Sequence, residues 1–428
     1  MIRIYRYGEV PNSEIFKRSE ETADVHAAVQ EIVQSVRTGG DEALLAYCER
    51  FDGTCPEPLE VTKEMFREAL EEVGEEFVGL LKRAAVNIRA YHSMQKRDGF
   101  EIRKEDGSVL GQKILPIEKV GIYVPGGTAA YPSTVLMNAI PAKIAGCGEV
   151  VMVSPPTYQG RIHPAILAAA YVAGVDRVFQ IGGAQAVAAL AYGTLSVPKV
   201  DKIVGPGNVF VAEAKRQVFG QVAIDMIAGP SEILVVADSA SDPVIVAADM
   251  LSQAEHDKNA SAVLVTDSME LAQAVAEELE KQIPVLPRHE IAGTSIERNG
   301  KIIVADDIRQ AVAIANEIAP EHLELCVDDP FKLLEEVRHA GSVFLGRYCP
   351  EAMGDYYAGP NHTLPTMGTA RFSSALSVDD FVKKTQYLYY TEEALKNAAQ
   401  DVYDFAQREG LGGHAKSAMI RIDREVQI

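Results

Sequence analysis

The sequence predicts an α/β protein: two doubly wound, Rossmann-like domains with an incomplete dinucleotide fingerprint, followed by a helical C-terminal extension. Three observations carry this expectation. From about residue 120, short β-branched runs alternate with Ala-rich helical stretches, the pattern of βαβ units and a parallel sheet. Gly-rich turns follow several of the predicted strands, where such sheets bind ligands. The chain has 428 residues, more than one apolar core usually serves.

Taken in order, residues 1–20 form an N-terminal segment with no apolar core stretch or cleavage site of a signal peptide. Ala23–Val36 has helical apolar spacing and runs into Gly39-Gly40, a helix-end signal, and Glu71–Ala90 repeats the pattern. Val120–Val124, Val150–Val153, Arg177–Ile181 and Lys202–Val204 read as strands. Ser133–Ala145, His163–Val172, Ala184–Tyr192 and Val209–Phe219 read as the helices between them. Further strands are expected at Ile233–Ala237, Ala262–Thr266, Ile302–Val304, Glu324–Val327 and Ser342–Leu345, with helices starting near Pro243, Ser268, Asp307 and Pro330. Helices are expected at Asp379–Tyr387, Glu392–Arg408 and Ala415–Ile422. The expected domains are therefore 21–119 with 232–376, then 120–231 as a second α/β domain, and 377–428 as a helical tail. The early helices are placed with the first of these, since they have no sheet of their own.

Bulk properties narrow the function. Lys+Arg number 41 and Asp+Glu 61, a formal net charge of -20, which argues against a general nucleic-acid binder. No run of 18 apolar residues suggests a membrane span. The 5 Cys are odd in number and contain no Cys-x-x-Cys pair, so reduced thiols in a cytoplasmic protein are expected. Cys147, in Ala-Gly-Cys-Gly, reads as a packing residue.

Four islands gather most metal-capable residues. Gln253-x-x-His256 ends a predicted helix, and residues three apart share a helical face, so both can reach one ion. Glu321-His322 follows Ala319-Pro320, where Pro should end a helix; His is a natural proton acceptor near neutral pH, and Glu can activate water. Gly354–His362 is dense in turn formers and offers Asp355 as a hard ligand and His362 as a binding group. Glu409 and His414 flank a Gly-rich junction between two predicted helices. Each island alone also reads as a helix-terminal His, a cap or a surface turn, and for Gln253/His256 and Glu409/His414 that plainer reading is the stronger one. Three turns, Val124-Pro-Gly-Gly-Thr128, Ile181-Gly-Gly-Ala-Gln185 and Gly205-Pro-Gly-Asn208, follow predicted strands, but none completes Gly-x-Gly-x-x-Gly, since position 210 is Phe.

With these segments laid out, the chain resembles the histidinol dehydrogenase family from about residue 20 to 420. The resemblance is carried by Val120–Ala145, Gly182–Gly193, Val200–Ala237, Leu251–His256, Pro320–Leu323 and Ala340–His362. It implies a homodimer that oxidises L-histidinol through the aldehyde to L-histidine with NAD and one zinc per subunit. It also implies zinc ligands Gln253, His256 and Asp355, with His414 from the neighbouring subunit. Glu321 and His322 match the catalytic pair, Ser231, His362 and Glu409 match substrate-binding positions, and Tyr123, Gln185 and Asn208 match positions lining the NAD site. The metal ligands and His322 also face the substrate in this reading. The rival readings are a zinc dehydrogenase of another small alcohol, a zinc hydrolase, and a non-catalytic α/β binding protein.

Overall fold

Strands buried on both faces read as near-continuous apolar runs, and most of the strands that build the core here do. In the computed structural model, which describes residues 2–18, 24–126 and 130–424, the strands in chain order are β1 (Arg3–Arg6), β2 (Phe100–Arg103), β3 (Val109–Pro116), β4 (Lys119–Tyr123), β5 (Glu149–Val153), β6 (Arg177–Phe179), β7 (Lys202–Val204), β8 (Ala223–Ile224), β9 (Glu232–Ala237), β10 (Ser261–Thr266), β11 (Lys301–Val304), β12 (His322–Cys326), β13 (Ser342–Leu345) and β14 (Val382–Tyr389). Residues 127 and 128, part of one predicted Gly-rich turn, lie outside the described set.

The chain divides into two compact units: residues 1–95 with 117–381, and residues 96–116 with 382–428. The first holds two all-parallel sheets. One has the order β1-β11-β10-β9-β12-β13, the other β6-β5-β4-β7-β8. Counting from β9 and from β4, the two sheets share one order, 3-2-1-4-5, with β1 added at the edge of the larger. Each therefore has a switch point, between β9 and β12 and between β4 and β7. The nine strands expected from about residue 120 to 345 all form, most within two residues of the predicted ends.

Three features depart from expectation. The N-terminal segment supplies β1, paired in parallel with β11. The early helices, His26–Asp52 and Lys63–Ser93, pack on the helices of the five-stranded sheet: the first on Gly183–Tyr192 and Val209–Val218, the second on Pro132–Ala145 and Pro164–Ala173. Val29, Val33 and Leu44 join Val151, Phe179 and Ile203 in one apolar cluster. Each early helix bends at a glycine with positive φ, Gly40 and Gly74. Finally, the helix expected at Asp379–Tyr387 does not form; most of it belongs to β14, which pairs antiparallel with β3 along its whole length. Six of its eight residues are exposed, so its sequence shows no alternation to betray a strand.

In the second unit β14, β3 and β2 make a three-stranded sheet, and helices Glu392–Arg408 and Gly412–Met419 pack on each other. No helix among the described residues is long and apolar enough to cross a membrane. Cys147 is buried, burial pushes its thiol up to about 11, and its Sγ donates to the Phe381 carbonyl at 3.7 Å, as suits a packing residue.

Candidate active site

Strand β12, His-Leu-Glu-Leu-Cys, is wholly buried yet carries an imidazole and a carboxylate. Charged groups on a core strand need partners, and theirs define the site. The approach to β12 is set locally. Helix Ile308–Ile318 ends at Ala319 in a left-handed conformation (φ 50°), and Pro320 cannot continue it. Glu321 and His322 follow, and His322 enters the sheet between Ile233 of β9 and Ser342 of β13.

The backbone of one residue, Glu232, holds both groups. The Glu232 N–H donates to Glu321 Oε2 at 2.9 Å, and the Glu232 carbonyl accepts from His322 Nδ1 at 2.9 Å. The second bond fixes the tautomer: Nδ1 carries a proton, so the free position of a neutral His322 is Nε2. That atom is buried and has no hydrogen-bond partner. It lies 3.7 Å from Asp355 Oδ1 and 3.9 Å from Glu351 Oε1.

Asp355 was expected in a loop. It sits instead in a short helix, Glu351–Tyr356, and only the residues after it form the Gly/Pro loop. The helix places Glu351 and Asp355 four apart on one face. His322, Glu351 and Asp355 offer ligand atoms all within 4.8 Å of one another. His362 donates from Nδ1 to the Asp355 carbonyl at 3.0 Å and accepts the Thr134 hydroxyl at Nε2, 3.3 Å. Gln253 is buried near the end of helix Pro243–Ala254, its amide nitrogen unpartnered, and His256 follows in the turn. The Asp355 charge acts on the His256 imidazole, and Ser252 donates to Glu351 Oε2 at 3.0 Å, which ties this helix end to the cluster.

The electrostatics are those of a cavity built around charge. Burial opposes ionisation of Asp355, but the hydrogen bond and charge of His322 hold its carboxyl well below the usual range. Burial would lower His322, yet Glu321, Asp355 and Glu351 raise it to about 10. Burial lifts Glu321 to about 8, and burial with the Asp355 charge lifts Glu351 to about 7. Burial lowers His256 and His362, keeping both imidazoles neutral and fit to ligate. Beneath, Asp249 and Glu324 are hydrogen-bonded; burial raises Asp249 to about 6 and Glu324 well above its usual value, so they share a proton. Glu324 Oε1 in turn accepts the Glu351 N–H at 2.7 Å.

Unpartnered buried atoms on Gln253, His322 and Glu351, converging with an ionised Asp355 and a neutral His256, form a donor set that fits a divalent cation. Reversing the Gln253 amide presents a carbonyl oxygen where an unused donor now points. Sequence reasoning missed Glu351, Asp249, Glu324 and the role of the Glu232 backbone. The four-residue spacing of Glu351 and Asp355 was the one available signal.

The expected cofactor residues lie at the C-terminal edge of the five-stranded sheet. Tyr123 ends β4, and its hydroxyl accepts the Gly183 N–H at 3.0 Å. Gln185, near the start of the helix after β6, is buried with both amide atoms unpartnered. Asn208 caps the helix after β7, accepting from Phe210 and Val211 N–H groups. Gly205 is obligatory between them: its φ is 109°, and a Cβ would meet the Tyr123 carbonyl oxygen at 2.2 Å. Tyr123 and Asn208 flank the switch point of this sheet, where a dinucleotide binds in doubly wound folds. Ser231 is half-buried just ahead of β9. Glu409 and His414 belong to the second unit, and both are exposed.

Residues 16–422 match the family described as Histidinol dehydrogenase. The chain is 54% identical over 406 residues to a histidinol dehydrogenase of Streptococcus mutans, covering 95% of each chain. It is 50% identical over 426 residues to one of Clostridium acetobutylicum, covering 98% of this chain and 99% of that one. The crystal structure of histidinol dehydrogenase from Elizabethkingia anophelis superimposes with a TM-score of 0.93 at 37% identity, covering 99% of this chain and 98% of that one.

Proposed function

The chain belongs to the histidinol dehydrogenase family, and from that premise we propose that it oxidises L-histidinol through L-histidinaldehyde to L-histidine, the last step of histidine biosynthesis, in the cytoplasm. The observation that supports this reading best is the Glu321–His322 pair, tied to one backbone unit beside a buried donor set.

Gln253, His256 and Asp355 would hold zinc, with His414 supplied by the other subunit of a homodimer. Zinc, when bound, would orient the nitrogen donors of the substrate and offset the carboxylate charge around His322, leaving Nε2 free to accept a proton. Tyr123, Gln185 and Asn208 would line the NAD site; NAD, when bound, accepts one hydride in each oxidation. The protein's own groups handle the protons. In the first oxidation His322 Nε2 takes the hydroxyl proton as the carbinol carbon loses hydride, giving the aldehyde. For the second, Glu321 takes a proton from water as its oxygen adds to the aldehyde carbon while His322 returns its proton to the former carbonyl oxygen; the hydrate then loses a hydride from carbon and one hydroxyl proton to His322, leaving the carboxylic acid. Ser231, His362 and Glu409 would hold the substrate, and the buried site shields the aldehyde from bulk water.

A spectrophotometric assay with L-histidinol and NAD tests this reading. Two NADH should form per histidinol consumed, and chelation should abolish the signal until zinc is restored. Absence of NADH formation with zinc-replete protein would overturn it.

A further inference from the structure

The backbone of Glu232 serves the active site, and its side chain points to a different partner. That carboxylate is 5% exposed, so its charge needs an opposite one close by. Arg18 supplies it: Nε lies 3.1 Å from Oε1, and Nη2 3.5 Å from Oε2. The same Nη2 donates to the carbonyl of Ile318, the last residue of the helix that leads into Ala319-Pro320-Glu321-His322. One guanidinium thus fastens both segments that carry the catalytic geometry: the strand whose backbone grips Glu321 and His322, and the helix end that launches them. Arg18 comes from the N-terminal segment, outside every motif singled out from the sequence. It sits at the N-terminal edge of the six-stranded sheet and lines a cavity of about 270 Å³ with Glu232, Lys301 and Arg371.

We propose that Arg18 is a positioning residue for the oxidation, acting through Glu232 and the Ile318 carbonyl to hold Glu321 and His322 in register with each other. The proposal rests on the reading of those two as the catalytic pair. Its physical content is specific. Without the guanidinium, Glu232 is an uncompensated buried carboxylate at the first residue of β9, and it must take up a proton or move toward water. Either response disturbs the two 2.9 Å bonds that its backbone makes. A displacement of about 1 Å at the reacting groups costs about 100-fold in rate. Zinc and histidinol binding depend on other side chains and should change little.

The test is Arg18→Ala, assayed for kcat, KM for histidinol, zinc content and rescue by added guanidinium. The expected result is kcat lowered about 10–100-fold, KM changed less than about threefold, and wild-type zinc content. Millimolar guanidinium, small enough to enter the space left beside the cavity, should restore part of kcat in Arg18→Ala and nothing in His322→Gln. Arg18→Lys, which keeps the charge but cannot bridge both partners, should fall between wild type and Arg18→Ala. Wild-type kcat in Arg18→Ala overturns the proposal. So does a loss that neither guanidinium nor Arg18→Lys relieves and that tracks a lowered thermal midpoint, since that is a purely structural defect. Should Arg18→Ala fail to fold, the double variant Arg18→Ala/Glu232→Gln leaves no charge buried alone but still lacks the tie between β9 and the Ile318 carbonyl; reduced kcat with normal zinc content supports the proposal, and wild-type kcat overturns it. Full turnover in His322→Gln would sink the catalytic reading instead, a distinct outcome.

Discussion

His322 occupies the first position of a strand that is otherwise apolar apart from Glu324, and its two ring nitrogens face different partners. Nδ1 is committed to the Glu232 carbonyl, and Nε2 faces Asp355 and Glu351 with no hydrogen bond of its own. Replacing it with Gln should lower kcat by about 100- to 10,000-fold, the usual worth of a general base, while zinc stays near one per subunit. Loss of metal in that variant would show that His322 ligates rather than catalyses. Glu351 raises the complementary question, because it stands as close to Asp355 as a ligand would. If it only supports the site, Glu351→Gln should keep zinc stoichiometry and weaken affinity by about 10–100-fold, as outer partners of metal ligands do. Equilibrium dialysis against graded zinc decides it, and a variant that holds no zinc at all makes Glu351 a ligand. The residues that sequence alone brought forward, Gln253, His256, Glu321, His322, Asp355, His362, Glu409 and His414, are those whose own side chains can ligate or move a proton. Arg18 and Glu232 were invisible for a plain reason: their effect passes through backbone groups, which have no sequence signature.

At the scale of elements, the legible parts of the fold are those where burial dictates composition. The strands at 120–124, 150–153, 202–204, 233–237 and 262–266 are apolar because both faces are covered, and they form where expected. Strands β1, β2 and β14 were missed because their residues are largely exposed, β3 because it is mostly half-buried with no clean alternation, and β8 because it is two residues long, so pairing and not patterning defines them. Helix His26–Asp52 shows how packing can leave a charge badly placed. Asp52 is its last residue, Oδ2 has no partner, and burial raises its carboxyl from 3.8 to about 6. Between those values the native state binds the proton more tightly than the unfolded chain, so stability falls as pH rises through that window and stays lower above it. Asp52→Asn should therefore stabilise the protein at pH 8 by about 1 kcal/mol, discounted for its partial exposure, with the advantage vanishing below pH 4. Thermal midpoints of the two proteins at pH 4 and pH 8 check this; an equal difference at both would refute it.

At the scale of the whole molecule, two sheets of identical strand order are used at opposite ends. The residues expected to meet NAD cluster at the C-terminal edge of the five-stranded sheet, as doubly wound folds lead one to expect. Glu321 and His322 lie at the N-terminal edge of the other sheet, beside its own switch point. No fold rule would have placed them there; only the chemistry of the side chains pointed to the position. The exposed His414 and Glu409 on the second unit accord with a proposed site completed across a dimer. Mixing His414→Ala with His322→Gln protein should then regain activity, since each hybrid dimer contains one intact site; random exchange sets the ceiling at about a quarter of wild type. No recovery despite proven subunit exchange would place each site within one chain. The central claim is that Glu321 and His322 divide the two oxidations between them, and the NADH yield of Glu321→Gln tests it most directly. With His322 intact the first oxidation proceeds and the second stalls, so the account predicts at most one NADH per histidinol. Two NADH per histidinol at the wild-type rate would contradict it.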